Sequence, residues 1–173
     1  MTNDVPYDLD MIRLALLTIS DKGYQGERED ISGEAIKEII QPSPFELVYY
    51  QVLPDEKELI SSTIKNLADE ERVDLILTTG GTGLSPRDVT PEATRAVVDK
   101  EVPGIAEAMR LESLKITPHA MLSRAVAGIR KKTLIINLPG SPKAVRETLV
   151  PILPALPHAI EKLQGDPREC GLG

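Results

Sequence analysis

The chain has 173 residues, of which 41% are hydrophobic and 27% charged, a balance typical of a globular protein large enough to bury a sizeable core. A net charge of −7 and an aromatic content of 3% argue against a nucleic-acid partner, because phosphate binding needs cations and base stacking needs exposed rings. A single cysteine (Cys170), an acidic start without a signal-peptide pattern and the lack of an apolar run of roughly 20 residues predict a cytoplasmic protein without a membrane span.

The first part of the chain alternates apolar runs of strand length with amphipathic segments. Ile12–Ile19 predicts a buried strand, and the polar, glycine-containing stretch Ser20–Gly33 predicts a mobile loop. Glu34–Ile40 places its apolar residues on one helical face. Phe45–Leu53 is a second predicted strand, after which Asp55 stands as the N-cap of a helix, with an acid three residues later completing a capping-box pattern.

The second part repeats the alternation. In chain order it predicts a strand at Asp74–Thr79, a helix capped by Thr90, a helix at Ile105–Leu114, a short helix within Ala120–Gly128, a strand at Thr133–Leu138, a helix capped by Ser141 and a last helix at Pro157–Leu163. Strands that alternate with helices at crossover spacing predict an α/β fold in which a mostly parallel sheet lies between helices. No repeat and no linker interrupts the pattern, so we expect a single domain with its core at about residues 12–165.

Ligands of open α/β sheets bind beyond the carboxyl ends of the strands, and the predicted strand ends carry chemically capable residues. One of them is Gly80-Gly81-Thr82-Gly83, whose glycines permit a close approach of the main chain to a ligand and whose successive N–H groups form an anion-binding concavity. A plain tight turn is the alternative interpretation. The segment has no Gly-Lys-Ser/Thr ending, so it is not a P-loop.

A second strand end repeats the design. Asn137 is followed by Pro139, Gly140, Ser141 and Pro142, where a helix N-terminus directs its partial positive charge at the predicted crevice. Two such loops that converge would cradle two anionic groups without a basic surface. Four cations lie near these loops in sequence and either add local charge or are solvated: Arg87, Arg124, Arg130 and Lys143.

Two carboxylates at strand ends are candidate magnesium ligands, since Mg²⁺ characteristically binds one or two carboxylates together with substrate phosphates. For Asp55 helix capping is the alternative role, whereas Asp88, two residues before the predicted Thr90 cap, has no comparable structural role. The two histidines, His119 and His158, are too few for an ordinary zinc site and are interpreted as structural or surface residues.

Five segments resemble the Mog-type molybdopterin adenylyltransferases and the G domain of gephyrin and its plant counterpart. The resemblance covers Ile12 to Gly165, and the stretch Gly23–Ile31 matches no pattern of the family. The five segments are LLTISD (Leu16 to Asp21), VLPDE (Val52 to Glu56), TTGGTGLSPRDVTPEAT (Thr78 to Thr94), LKITPHAMLSRAVAGIR (Leu114 to Arg130) and LIINLPGSPKAV (Leu134 to Val145).

The resemblance implies a three-layer α/β/α domain, usually a homotrimer, that uses ATP and Mg²⁺ to adenylylate molybdopterin with release of pyrophosphate, before a downstream enzyme inserts molybdenum. The functional aspartates of the family match Asp55 and Asp88, which are thereby implied to be catalytic and to hold the metal. The substrate-binding set implied by the resemblance is Ser20, Asp21, Gly80, Gly81, Thr82, Gly83, Ser123, Asn137, Pro139, Gly140, Ser141 and Pro142. Two rival functions on the same fold are a non-catalytic molybdopterin-binding paralogue and an oligomeric scaffold.

Overall fold

Six strands form one sheet at the centre of the molecule, as seen in a computed structural model that describes residues 11–41 and 44–167. The strands are β1 (Ile12–Ile19), β2 (Phe45–Leu53), β3 (Leu75–Thr79), β4 (Lys100–Glu101), β5 (Ala127–Arg130) and β6 (Thr133–Leu138), in the spatial order β2-β1-β3-β6-β5-β4. The β1–β2, β1–β3 and β3–β6 pairs are parallel, whereas β5 runs antiparallel to β6 and β4. The mostly parallel sheet and all four predicted strands are confirmed.

The antiparallel edge differs from the sequence prediction. A 3₁₀ helix covers Pro118–Leu122, but Ala127 and the residues after it form β5 rather than the end of a short helix. The turn from β5 to β6 passes through Lys131, which has a left-handed φ of 51° without being a glycine. A four-residue strand and a turn without Gly or Asn carry too little pattern to be recognised from the sequence.

Within residues 11–41 and 44–167, seven α-helices connect or flank the strands. They are α1 (Asp21–Tyr24), α2 (Ile31–Ile40), α3 (Lys57–Asp69), α4 (Thr90–Arg95), α5 (Pro103–Leu114), α6 (Pro142–Ile152) and α7 (Leu156–Gln164). The predicted loop Ser20–Gly33 is therefore wrong at both ends, where α1 forms and α2 begins. Asp30 starts α2 early because its carboxylate accepts the N–H of Gly33 at 2.8 Å. Cys170 and the acidic start of the chain lie outside the described residues.

Two of the three predicted helix caps are wrong, and both side chains are used elsewhere. Asp55 does not cap α3, which has Glu56 at its N-cap without a side-chain capping bond. The hydroxyl of Thr90 donates to the carbonyl of Gly80 at 2.9 Å instead of capping α4. Ser141 does cap α6, accepting the N–H of Ala144 at 3.1 Å. The residues freed from capping lie at the sheet edge where the loops meet.

The core lies on both faces of the sheet, and β1 shows how. Leu14 and Leu16 pack on one face among residues of α2, α5, α6 and α7, while Ala15 and Leu17 pack on the other against α3 and α4. Each of these side chains is fully buried, and burying a leucine contributes roughly 1.5–3 kcal/mol. Two-sided burial explains the unbroken apolar runs and confirms the three-layer α/β/α architecture. Among the described residues, no helix combines the length and hydropathy needed to cross a membrane.

Candidate active site

The carboxyl ends of the parallel strands meet at one edge of the sheet. The register aligns Thr18 with Thr79 and Thr79 with Leu138, so β1, β3 and β6 end at the same level. The main chain continues this alignment beyond the strands, since the N–H of Ser20 donates to Leu53 at 2.8 Å and that of Gly80 to Leu138 at 3.1 Å. The loops that follow four strands therefore lie side by side.

The Gly80–Gly83 loop requires its first two glycines. Gly80 has a φ of 99° and Gly81 a φ of 68°, the left-handed region that favours glycine. A Cβ at Gly80 would collide with the carbonyl of Ile19, and one at Gly81 would collide with the hydroxyl of Thr90. The Thr90 N–H also donates to Gly81 at 3.1 Å, so the start of α4 fixes this loop against the sheet.

Arg124 holds the rest of the same loop. Its Nε donates to the carbonyl of Gly83 and its Nη2 to the carbonyl of Asp88, both at 2.7 Å. Its Nη1 pairs with the carboxylate of Glu92. The main-chain N–H of Arg124 donates to the carbonyl of Thr82 at 2.9 Å. Because the guanidinium is bonded on three sides, Arg124 shapes the loop rather than offering a free charge to a ligand.

The other cations near the loops have different surroundings. Arg87 makes a bidentate ion pair with Asp21, with both N···O distances at 2.9 Å. Arg130 is bonded to Asp69 at 2.7 and 2.9 Å, away from both glycine loops. Lys143 is largely solvated. None of these three cations therefore adds a free positive charge to the two glycine loops.

Asp21 and Asp55 bind each other's main chains. The Asp21 N–H donates to Asp55 Oδ2 at 2.9 Å, and the Asp55 N–H donates to Asp21 Oδ1 at 3.0 Å. The hydrogen bonds from Arg87 lower the pKa of Asp21. Burial raises the pKa of Asp55, and the charges of Asp21 and Asp88 raise it further. The two carboxylates thus lie in opposite electrostatic environments.

Asp55 and Asp88 lie against the same glycine loop. A Cβ at Gly81 would be 3.2 Å from Asp55 Oδ1, and one at Gly83 would be 2.9 Å from Asp88 Oδ2. Asp88 Oδ2 also accepts the N–H of Ser85 at 3.0 Å. Among the hydrogen bonds within the described part of the chain, neither carboxylate uses its Oδ1. Each therefore has one oxygen without an intramolecular hydrogen bond.

Two adjoining cavities open at this edge. The cavity beside the start of α2, here the α2 cavity, has a volume of about 590 Å³, and the cavity between α5 and α6, here the α5–α6 cavity, has a volume of about 410 Å³. They share a wall formed by Gly81, Asp88 and Gly140. Two ligands bound in these cavities would meet at that wall.

Most residues of the predicted substrate-binding set line one of the two cavities. The α2 cavity is lined by Ser20, Gly80, Gly81, Gly140, Ser141 and Pro142 together with Asp55, and the α5–α6 cavity by Thr82, Gly83, Ser123 and Pro139. Asp21 lines neither cavity but orients Asp55. Asn137 is fully buried, and its amide nitrogen donates to the hydroxyls of Thr78 and Thr94 at 3.0 and 2.9 Å. Its side chain therefore supports the strand end and does not reach a ligand.

Sequence reasoning missed further lining residues. Arg28, Glu29, Asp30 and Ser32 line the α2 cavity, which places on the site the segment that matched no family pattern. Arg110, Thr117, Glu147 and Thr148 line the α5–α6 cavity. His119, interpreted as a structural or surface residue, is exposed and also lies at the rim of the α5–α6 cavity. No helix-face pattern marked Arg110, Glu147 and Thr148, because α5 and α6 present them to a gap that only the packed fold creates.

Comparison with known proteins shows the family of the chain. Residues 15–158 match the family described as "Probable molybdopterin binding domain". The chain is 46% identical over 158 residues to a Helicobacter pylori protein named molybdopterin adenylyltransferase, covering 90% of this chain and 89% of that one. It is also 47% identical over 165 residues to Dictyostelium discoideum gephyrin, covering 90% of this chain and 23% of gephyrin.

A solved structure shows the same fold. The molybdopterin biosynthesis enzyme MoaB of Thermus thermophilus superposes with a TM-score of 0.86 at 55% identity, covering 92% of this chain and 100% of that one. The family match spans most of the chain and the fold agrees with it. The chain therefore belongs to the molybdopterin-binding domain family of molybdenum cofactor biosynthesis proteins.

Proposed function

We propose that the protein is a cytoplasmic molybdopterin adenylyltransferase, which transfers AMP from ATP to the terminal phosphate of molybdopterin and releases pyrophosphate. One observation carries this proposal: the two cavities share a wall at which Asp88 and the glycine loops meet, with Asp55 beside it. Two phosphate-bearing substrates need such a junction. The proposal also agrees with the name of the Helicobacter relative.

The carboxylates of Asp55 and Asp88 fit a magnesium ion. Each keeps one oxygen without an intramolecular hydrogen bond, and each lies against a glycine whose missing side chain leaves room beside it. Within the described residues no group of three or more His, Cys, Asp or Glu side chains is placed to hold a metal by itself. That donor set suits Mg²⁺, which completes its shell with substrate phosphates and water. When bound, the ion neutralises phosphate charge during the transfer.

The phosphates themselves would be held by main-chain groups. Gly81 and Gly140 contribute to the shared wall, and Ser141 caps α6 so that the N-terminus of this helix faces the α2 cavity. A helix N-terminus and glycine turns bind anions through oriented N–H groups. This arrangement explains how a chain with a net charge of −7 can receive two anionic substrates.

The reaction requires little proton transfer by side chains of the protein. An oxygen of the terminal phosphate of molybdopterin, already ionised at neutral pH, would attack the α-phosphorus of ATP, and the bond to pyrophosphate would break. The site accordingly needs no histidine base. Arg124 and Thr90 would position the loop, and Asp21 would orient Asp55 through their paired main-chain bonds. Positioning and electrostatic stabilisation carry most of the catalysis in transfers of this kind.

The proposal is tested by turnover. The purified protein, given molybdopterin, ATP and MgCl₂, should release one pyrophosphate for each adenylylated molybdopterin formed, and EDTA should abolish both. Pyrophosphate is measured by a coupled phosphatase assay and the adduct by mass spectrometry. Binding of molybdopterin without either product would reject the proposal.

The second candidate is a molybdopterin-binding paralogue that does not adenylylate. The Thermus structure, at 55% identity, is named a molybdopterin biosynthesis enzyme and not specifically an adenylyltransferase, so its name does not distinguish the two functions. The same assay separates the two functions, because the paralogue would bind the pterin and leave ATP intact. An oligomeric scaffold would show neither activity.

Homotrimeric assembly and a molybdenum-inserting enzyme downstream complete the proposal. Exposed apolar side chains on α5, on the 3₁₀ helix and in the segment between them, including Leu111, Ile116 and Met121, provide an apolar surface near the α5–α6 cavity, as expected of a subunit contact. Light scattering coupled to size-exclusion chromatography should give three times the 18.9 kDa chain mass. A monomer under the same conditions would reject the trimer.

A further inference from the structure

Glu147 is an unusual residue of the α5–α6 cavity. It projects from α6 into the cavity lining, and only 14% of its side chain is exposed. Its nearest cation among the described residues is Lys143, whose Nζ is 3.9 Å away and whose own side chain is 82% exposed. No hydrogen bond from the described part of the chain reaches its carboxylate. The carboxylate at this cavity wall is therefore available to a ligand that donates hydrogen bonds.

The surroundings of Glu147 fit a flat heterocycle. Apolar side chains of α5 and of the segment before β5, Met109 and Ala125 among them, line the cavity. Arg110 is fixed to the wall, where its Nη1 donates to the carbonyls of Ala125 and Ser123 at 3.0 and 3.4 Å. Because Arg110 is held there and makes no ion pair with Glu147, the carboxylate is left facing the cavity. An apolar cavity with few fixed polar groups is the common form of a small-molecule site.

The carboxylate selects among heterocycles by hydrogen-bond pattern. An ionised carboxylate only accepts hydrogen bonds, so it pairs best with two adjacent N–H donors. The pterin ring presents such an edge, with its 2-amino group next to N3–H. The corresponding edge of adenine has its amino donor next to the acceptor N1, which a carboxylate repels.

We propose that Glu147 is the specificity-determining residue of the α5–α6 cavity and accepts hydrogen bonds from the 2-amino and N3–H groups of a pterin. The substrate identity rests on the proposed function. The assignment puts the pterin between α5 and α6, the nucleotide in the α2 cavity, and the reacting phosphates at the shared wall of Gly81, Asp88 and Gly140.

The test is a swap of ring specificity. Glutamine offers one acceptor and one donor, so Glu147→Gln suits lumazine, which carries an oxo group in place of the 2-amino group. By ligand-observed NMR titration, the wild-type protein should bind pterin more tightly than lumazine. Glu147→Gln should bind pterin roughly 10- to 100-fold more weakly and reverse the preference. A purely structural role for Glu147 would weaken both ligands without changing their order.

Matched variants keep the test decisive. Glu112→Gln on α5 removes a carboxylate outside both cavities and should keep the wild-type preference. Glu147→Asp keeps the charge, so it should bind pterin more weakly and still prefer it to lumazine, and it serves if Glu147→Gln does not fold. An unchanged pterin affinity in Glu147→Gln, a lost preference in Glu147→Asp, or no binding of pterin to the wild-type protein at millimolar concentration would each overturn the inference.

The inference and the proposed function fail in different measurements. If the protein releases no pyrophosphate but the ring preference changes in Glu147→Gln as expected, adenylylation is rejected and the role of Glu147 stands. Normal turnover with no change of ring preference in Glu147→Gln would reject the role of Glu147 and keep adenylylation.

Discussion

The substitution Asp55→Asn should separate the fold from the chemistry. Asp55 does not cap α3, and its Oδ2 accepts one hydrogen bond, from the Asp21 N–H at 2.9 Å. The amide oxygen of asparagine can accept the same bond. The substitution therefore removes a negative charge and keeps the contact. An additional role in holding Mg²⁺ would be lost with the charge.

The sign of the stability effect follows from the raised pKa of Asp55. Burial is the first cause, followed by the like charges of Asp21 and Asp88. A carboxyl with a folded-state pKa above its unfolded value contributes stability below the unfolded pKa, and that contribution is lost as the pH rises through the folded pKa. At pH 7 the ionised group therefore opposes folding. Asp55 is partly exposed, so solvent screening keeps this effect small.

At pH 7 the free energy of unfolding of Asp55→Asn should equal that of the wild type or exceed it by no more than about 1 kcal/mol, the scale of one hydrogen bond. For a chain of this size that corresponds to a Tm higher by at most about 2–4 °C at pH 7. The difference should vanish at a pH below the unfolded pKa of aspartate, about 3.9. Pyrophosphate release should fall by roughly 100- to 1,000-fold, as for the loss of one electrostatic catalytic group.

Differential scanning calorimetry at two pH values and the pyrophosphate assay measure the two effects. Asp21→Asn is the matched control, because it removes a neighbouring carboxylate whose pKa is lowered by Arg87 and should lower, not raise, the Tm at pH 7. A Tm of Asp55→Asn several degrees below wild type would show a structural role. Full Mg²⁺-dependent turnover in that variant would refute the metal assignment.

Three further predictions concern the support of the site and the acid stability of the fold. Arg124→Lys should lower the free energy of unfolding by about 1–3 kcal/mol, measured by urea denaturation, because one ammonium cannot hold two loop carbonyls and a carboxylate; an unchanged midpoint would contradict it. Asn137→Ala should destabilise by a similar amount, about 1–3 kcal/mol, without changing the affinity for the nucleotide in calorimetric titration, and a selective loss of affinity would show direct contact instead. Hydrogen bonds from Arg130 lower the pKa of Asp69 to about 2, so its contribution to stability is present above the unfolded pKa and is lost as the pH falls through 2. Between the unfolded pKa of aspartate, about 3.9, and a pH of about 2, Asp69→Asn should therefore lose less stability than the wild type as the pH falls. Acid unfolding followed by circular dichroism measures this, and identical curves for the two proteins would contradict it.

The predictions from sequence were correct where the local pattern of residues is compatible with few backbone structures. The unbroken apolar run of Ile12–Ile19 can hardly be anything but a two-sided buried strand, and Gly80-Gly81 before a Thr-Pro-Glu helix start is typical of a left-handed turn at a strand end. Both predictions followed from local sterics and burial, which are encoded within a few neighbouring residues.

The predictions from sequence failed where a polar side chain had two possible uses. Asp55 and Thr90 are residue types that commonly cap helices. Asp55 instead bonds to Asp21, 34 positions earlier in the chain, and Thr90 bonds to Gly80, ten positions earlier. Asn137 carries the signature of a loop ligand and is instead buried between two threonines. Only the packed fold decides such cases, because the competing partner comes from another part of the chain.

The cavity between α5 and α6 was beyond the reach of sequence patterns for a different reason. Glu147 follows the helical period of α6 like a surface residue, and its burial depends on the approach of α5. A gap between two helices leaves no periodic trace in either one.

The most direct measurement is a crystal structure of the protein with a non-hydrolysable ATP analogue, Mg²⁺ and molybdopterin. We expect the α-phosphate and the pterin phosphate on either side of the wall formed by Gly81, Asp88 and Gly140, with the metal bound to Asp55 and Asp88. Phosphates bound at another edge of the sheet, or a metal that touches neither aspartate, would contradict a shared adenylylation site.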